Sequence, residues 1–255
     1  MAARGAPAHY LAINGACLAL GLALIAFVPL PKVKPDVAAV VLAALLFLPL
    51  LIGPSLNGVH RWIGSAPVAL NAGLLAGPAL AVAISWMERR WQLAVAILAL
   101  VAAIAQPDAA LALAIGGAAI GTALAARDTK PSLVAIAGLL AAIWAHKRGV
   151  LPPVDFVEQV YLDAATASPL WLVVLVTASV AGIVLITLDH SMERPQRFAL
   201  AGTMAGFCYA AAMSVYPTPL VGYGAASILG LALALWLAKV PTSRLRGESH
   251  QIWSG

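Results

Sequence analysis

Three carboxylates, Asp155, Glu158 and Asp163, follow two prolines in the stretch LPPVDFVEQVYLD, residues 151 to 163. On a helix begun near Asp155, spacings of three and eight put the first two on one face. A carboxylate held near a membrane surface and partly desolvated can take a proton from a hydroxyl as a general base. The same residues also read as a helix start, with Asp155 capping the turn that follows Pro152 and Pro153. His146, Lys147 and Arg148 stand just ahead of this loop.

Three other segments carry polar groups of the same kind. NGVHRWIG, residues 57 to 64, sets His60 and Arg61 beside Trp62. The tryptophan is a membrane-interface anchor, and the arginine can bind phosphate at headgroup level. In QPDAALAL, residues 106 to 113, Pro107 starts a helix and Asp108 sits in its first turn, complementing the helix dipole. In PTPLVGYGAAS, residues 217 to 227, Pro217 and Pro219 block helix continuation and the glycines allow close backbone approach. Tyr223 there is either an interface anchor or a ligand-contacting hydroxyl.

The elements that must hold these segments are apolar helices. Hydrophobic residues make up 62% of the 255 residues and charged ones 10%. A soluble domain cannot cover its surface with so few charges. The composition predicts an all-α, polytopic transmembrane bundle in a single domain, residues 1–255. About nine spans follow, near 9–31, 36–53, 66–87, 91–105, 108–126, 131–146, 169–188, 198–216 and 220–239. Only Gln106 and Pro107 separate the fourth from the fifth, as a tight turn or a kink.

Basic residues set the orientation. Lys32, Lys34, Arg89, Arg90, Arg127, Lys130, Arg194, Arg197, Lys239, Arg244 and Arg246 fall at one set of ends; Arg4, Arg61, Lys147 and Arg148 fall at the other. The richer set belongs in the cytoplasm. The amino terminus and all four motif segments then lie outside, with a cytoplasmic tail from about residue 240. The net charge of +5 is topology signal, assisted by anionic lipid heads, and does not point to nucleic acid. Cys17 and Cys208 fall inside spans with no metal or disulfide spacing. Gly117 and Gly121 form a small-xxx-small pair suited to close helix packing. The spans hold almost no ionisable residues, which disfavours an ion-coupled transporter.

Taken together and in order, NGVHRWI, QPDAALA, LPPVDFVEQVYLD and TPLVGYGAAS resemble the SEDS family, the FtsW, RodA and SpoVE type of cell-wall protein. That family shows NGxxRWI, QPDxGTA, a segment containing TDF and ending in GEE, and SYGGSS. Asp155 matches the TDF aspartate, Asp163 the first glutamate of GEE, and Arg61 and Trp62 the RWI pair. Gln106, Pro107 and Asp108 match QPD; Tyr223, Gly224 and Ser227 match SYGGSS.

The resemblance implies a bacterial inner-membrane glycosyltransferase of peptidoglycan assembly, serving cell shape or division. Its substrate would be lipid II, a polyprenyl-pyrophosphate-linked sugar. Its partner would be a single-pass penicillin-binding transpeptidase. Asp155 would be the catalytic base. Arg61, Lys147 or Arg148, with a divalent cation such as Mg or Mn, would neutralise the leaving pyrophosphate. The other matched residues, with Glu158, would line the substrate site. The chain also departs from the family. The family's first span and long outer loop are missing. Its QPSE is Asn71, Ala72, Gly73 and Leu74, its following lysine is Gly77, and Pro153 and Val154 replace the histidine and threonine before the aspartate. A non-catalytic scaffold or binder, and a lipid II flippase, are the alternatives.

Overall fold

The computed structural model describes residues 5–29, 34–64, 69–149 and 151–240. Arg4, Lys32, Arg244, Arg246 and the tail after Val240 lie outside the described residues.

Ten helices and one short ribbon make up the described chain: α1 Ala8–Phe27, α2 Pro35–Ile52, β1 Trp62–Ile63, β2 Leu70–Asn71, α3 Ala72–Ser85, α4 Arg89–Ala105, α5 Ala109–Ala126, α6 Ser132–Arg148, α7 Val160–Ala167, α8 Pro169–Leu188, α9 Arg194–Met213 and α10 Ala225–Ala238. Three of them, α1, α5 and α8, are long and apolar enough to cross a membrane. They differ in burial. Half of the α5 span is buried inside the bundle, against 11% for α1 and α8. The exposed faces of these two outer helices carry Leu18, Leu22, Leu170, Trp171 and Leu185, an apolar surface suited to lipid rather than water.

Close packing at the centre depends on missing side chains. A Cβ at Gly117 would run into the carbonyl of Gly202, and one at Gly121 into that of Phe198, so α5 and α9 pack backbone to backbone. Gly230 of α10 meets the Leu74 carbonyl of α3 in the same way. Small residues bring dispersion contacts to helices that gain nothing hydrophobic by leaving lipid.

Several boundaries differ from the sequence expectation. The third span begins at Ala72, not near 66, because β1 pairs antiparallel with β2, Trp62 opposite Asn71. Asn71 then caps α3, its Oδ1 accepting from the Leu74 N–H at 2.8 Å. The last span begins at Ala225, beyond the proline turn. Gln106 and Pro107 form a tight turn, with the Gln106 amide donating to the Leu46 carbonyl of α2.

Candidate functional site

Asn57 and Gly58 both have positive φ, 51° and 78°, and sit at the tip of a tight turn. Leu56 and Val59 exchange backbone hydrogen bonds across it, at 3.1 and 2.9 Å. Asn-Gly favours such turns because both residues tolerate the left-handed region. The turn sends the chain back into the bundle, and Arg61 enters with it. Arg61 is only 2% exposed.

Two of its guanidinium nitrogens, Nε and Nη2, are held by protein groups. Nε donates to the Pro107 carbonyl at 3.1 Å, and Nη2 donates to the same oxygen, to the Gly149 carbonyl at 2.6 Å and to the Tyr216 hydroxyl at 3.1 Å. The planar head also lies 4.7 Å from the Tyr216 ring centre. The Tyr216 hydroxyl accepts in addition from the Ala109 N–H at the start of α5, at 3.1 Å. One side chain thus ties the α4–α5 turn, the end of α6 and the loop after α9 together. Burial, helped by the Asp108 charge, pushes the Tyr216 hydroxyl up to about 12 against the pull of Arg61, so it stays neutral.

The loop from Leu151 to Gln159 is stitched to the loop from Tyr216 to Gly224. Thr218 N–H donates to the Val157 carbonyl at 3.1 Å, and Tyr223 N–H to that of Phe156 at 3.2 Å. Glu158 bridges to Pro217. Its carboxylate is buried and accepts from the Val154 N–H at 3.1 Å. Burial pushes the Glu158 carboxyl above its ordinary value, while that N–H and the Arg61 charge pull it down.

The expected helix start at Asp155 is not formed. Residues 155–157 make a turn, Phe156 and Gln159 have positive φ, and α7 begins only at Val160. Asp155 and Glu158 therefore share no helix face, and Asp155 caps nothing: it is exposed while Glu158 is buried. Asp108 also moves by one place. It is the N-cap of α5, outside the first turn, with Oδ1 accepting from the Leu111 N–H at 3.1 Å.

The remaining expected residues are spread around this end. Lys147 and Arg148 are exposed in the last turn of α6, where they complement the dipole, and Arg148 lies 4.5 Å over Trp144. Trp62 is half-buried in β1, and Asp163 is exposed on α7. Tyr223 stacks on Tyr10 of α1, with ring centres 4.0 Å apart. Ser227 donates to the Gly224 carbonyl at 2.8 Å, closing the first turn of α10. Asn14 of α1 grips the same loop, donating to the Gly222 carbonyl and accepting from the Gly224 N–H. Arg61, Asp108, Glu158 and the 216–224 loop thus meet at one end of the bundle. The Arg61 and Tyr216 side chains lie buried where they meet. Tyr216, Gly149, Tyr10 and Asn14 were not expected from the sequence. Of these, only Tyr216 had a signal, its place directly before the Pro-Thr-Pro turn.

Among the described residues no group of three His, Cys, Asp or Glu comes together to hold a metal ion. Compared with known proteins, the chain matches no family model, no curated protein and no solved structure.

Proposed function

We propose that this chain is a reduced, SEDS-like membrane protein of nine spans that acts on a polyprenyl-pyrophosphate-linked sugar of the lipid II type. The observation that carries the reading is the stitching of the Asp155 loop to the 216–224 loop over the buried Arg61–Tyr216 joint. Four segments far apart in sequence come together at one end, and these are the four on which the resemblance rests. Arg61 meets Pro107, Gly149 and Tyr216, which follow α4, α6 and α9, so these three helices end on one side, in keeping with nine crossings.

In this reading Asp155 stands exposed on the loop, open to an acceptor sugar. It takes the proton from the acceptor hydroxyl. The freed oxygen attacks the donor's anomeric carbon, and the bond to the lipid pyrophosphate breaks. Lys147 and Arg148, exposed nearby at the end of α6, meet the charge that develops on the leaving group. Arg61 holds the loops in place instead. The acceptor chain grows by one unit and the lipid pyrophosphate departs into the membrane.

One observation favours a second reading, a non-catalytic binder or scaffold working beside a single-pass penicillin-binding transpeptidase. Arg61 Nε and Nη2 are engaged by Pro107, Gly149 and Tyr216, so a pyrophosphate would have to compete with the joint for these donors. Polymerisation of purified lipid II by the wild-type protein and by Asp155→Asn decides between the two. Because Asp155 makes no cap, the variant should melt like wild type yet lose polymerisation. Turnover by Asp155→Asn at the wild-type rate removes Asp155 from the chemistry. No turnover by either protein, with the transpeptidase co-purifying, establishes the scaffold.

A further inference from the structure

The end of the bundle opposite Arg61 carries a groove that the reading above does not use. It has a volume of about 470 Å³ and lies between α4 and α6, with α3 and α5 as its floor. Leu80, Ile84 and Ile115 line its depth. Leu93 and Leu133 stand at its edges and are strongly exposed, so the groove opens sideways toward the lipid. The uncharged polar side chains in its wall are already occupied: Thr122, Thr203 and Gln92 each donate to a backbone carbonyl, at 2.9, 2.8 and 3.0 Å. A wall with no free polar group suits hydrocarbon.

Its mouth is basic. Arg89, Arg90 and Lys130 all belong to the lining. Arg89 pairs with Asp128, and Arg90 with Glu88 at 3.0 Å. Lys130 makes no salt bridge among the described residues and is exposed, although it stands beside Asp128, whose carboxylate accepts from its backbone N–H at 3.0 Å. A second apolar groove, between α5, α6, α8 and α9, has no basic residue in its lining and serves as an internal comparison.

We infer that the groove between α4 and α6 is a binding site for an anionic phospholipid, one acyl chain lying in the groove and the headgroup phosphate resting on Lys130 and Arg90. The apolar wall selects the chain, and the cationic mouth selects the charge. This rests only on the chain being embedded in a membrane, not on the proposed chemistry.

Native mass spectrometry of the full-length protein, released from micelles containing equal phosphatidylglycerol and phosphatidylcholine, tests it. Wild type should retain one phosphatidylglycerol in preference. Lys130→Gln, at an exposed position that leaves the packing alone, should lower that preference about fivefold, the usual weight of one basic residue at an anionic surface. Ile115→Trp should fill the groove and lose the retained lipid, whereas Ile183→Trp in the second groove should keep it. Equal retention of both lipids by wild type overturns the site, as does an unchanged preference in Lys130→Gln. A cysteine at Leu133 that crosslinks to a second copy of the chain, with no lipid retained, would show the groove to be a protein interface and overturn it too.

Discussion

The Arg61 guanidinium lies 4.7 Å from the centre of the Tyr216 ring and donates to the hydroxyl of that same tyrosine at 3.1 Å. A single residue pair therefore joins the loop after α2 to the loop after α9, 155 positions apart. The Tyr216 hydroxyl also receives the Ala109 N–H, so it serves two buried donors at once.

Tyr216→Phe keeps the ring under the guanidinium and removes only the shared acceptor. Two buried donors then lose a partner, at a cost of about 1–3 kcal/mol. The melting temperature in detergent should fall accordingly, and Tyr216→Leu, which removes the ring as well, should fall further. A Phe variant that melts with wild type would mean the hydroxyl contributes nothing to stability.

Gly149 allows the closest approach in the joint. A Cβ there would collide with the Pro107 carbonyl and with Nη2 of Arg61. Gly149→Ala should therefore destabilise by about 1–3 kcal/mol, the usual range for overpacking. Gly15 of α1 has nothing within 4 Å of a Cβ, and Gly15→Ala should hold or raise the melting temperature through helix propensity. Chemical denaturation of the two variants side by side reads the contrast.

Glu158 predicts a pH dependence of stability. Its folded value is raised above 4.5, mainly by burial. The buried carboxyl favours the protonated form, so its stabilising contribution is full below 4.5 and is lost as pH rises through the folded value. Glu158→Gln removes that loss. Melts recorded from pH 4 to pH 8 should show the variant gaining on wild type as pH rises, and parallel curves would contradict the buried carboxyl.

The proposed nine crossings would put the Asp155 loop and the α5–α6 turn on opposite sides of the membrane. With Cys17 and Cys208 replaced by serine, single cysteines at Asp155 and Asp128 should differ in labelling by an impermeant maleimide on intact cells. Asp155→Cys should react and Asp128→Cys should not. Equal labelling of both would require an even number of crossings between them.

The helices were largely legible in the sequence because long apolar runs leave little choice of structure. Their ends were less so. The start of α3 depends on residues 62–63 pairing with 70–71, whereas the Asn57-Gly58 signal marks a separate turn, the one closed by Leu56 and Val59. Asp155 and Glu158 could not be told apart by spacing. What separates them is the turn with Phe156 and Gln159 at positive φ, held by hydrogen bonds to a loop some sixty residues later in the chain. Tyr216 is a single aromatic residue with no spacing to mark it, and its role exists only once three distant segments meet. Arg61 was legible as a notable residue; that its charge is spent on carbonyls inside the protein was not.

The helix α1 packs along α10, with Asn14 holding the Gly222 and Gly224 backbone, Trp236 donating to the Val28 carbonyl and Lys239 to that of Ile25. Among the described residues, the first helix thus has its partner in the last. α1 therefore finds this partner only once residues 208 positions further along the chain have been made. A chain interrupted after α9 leaves α1 without the helix it docks against.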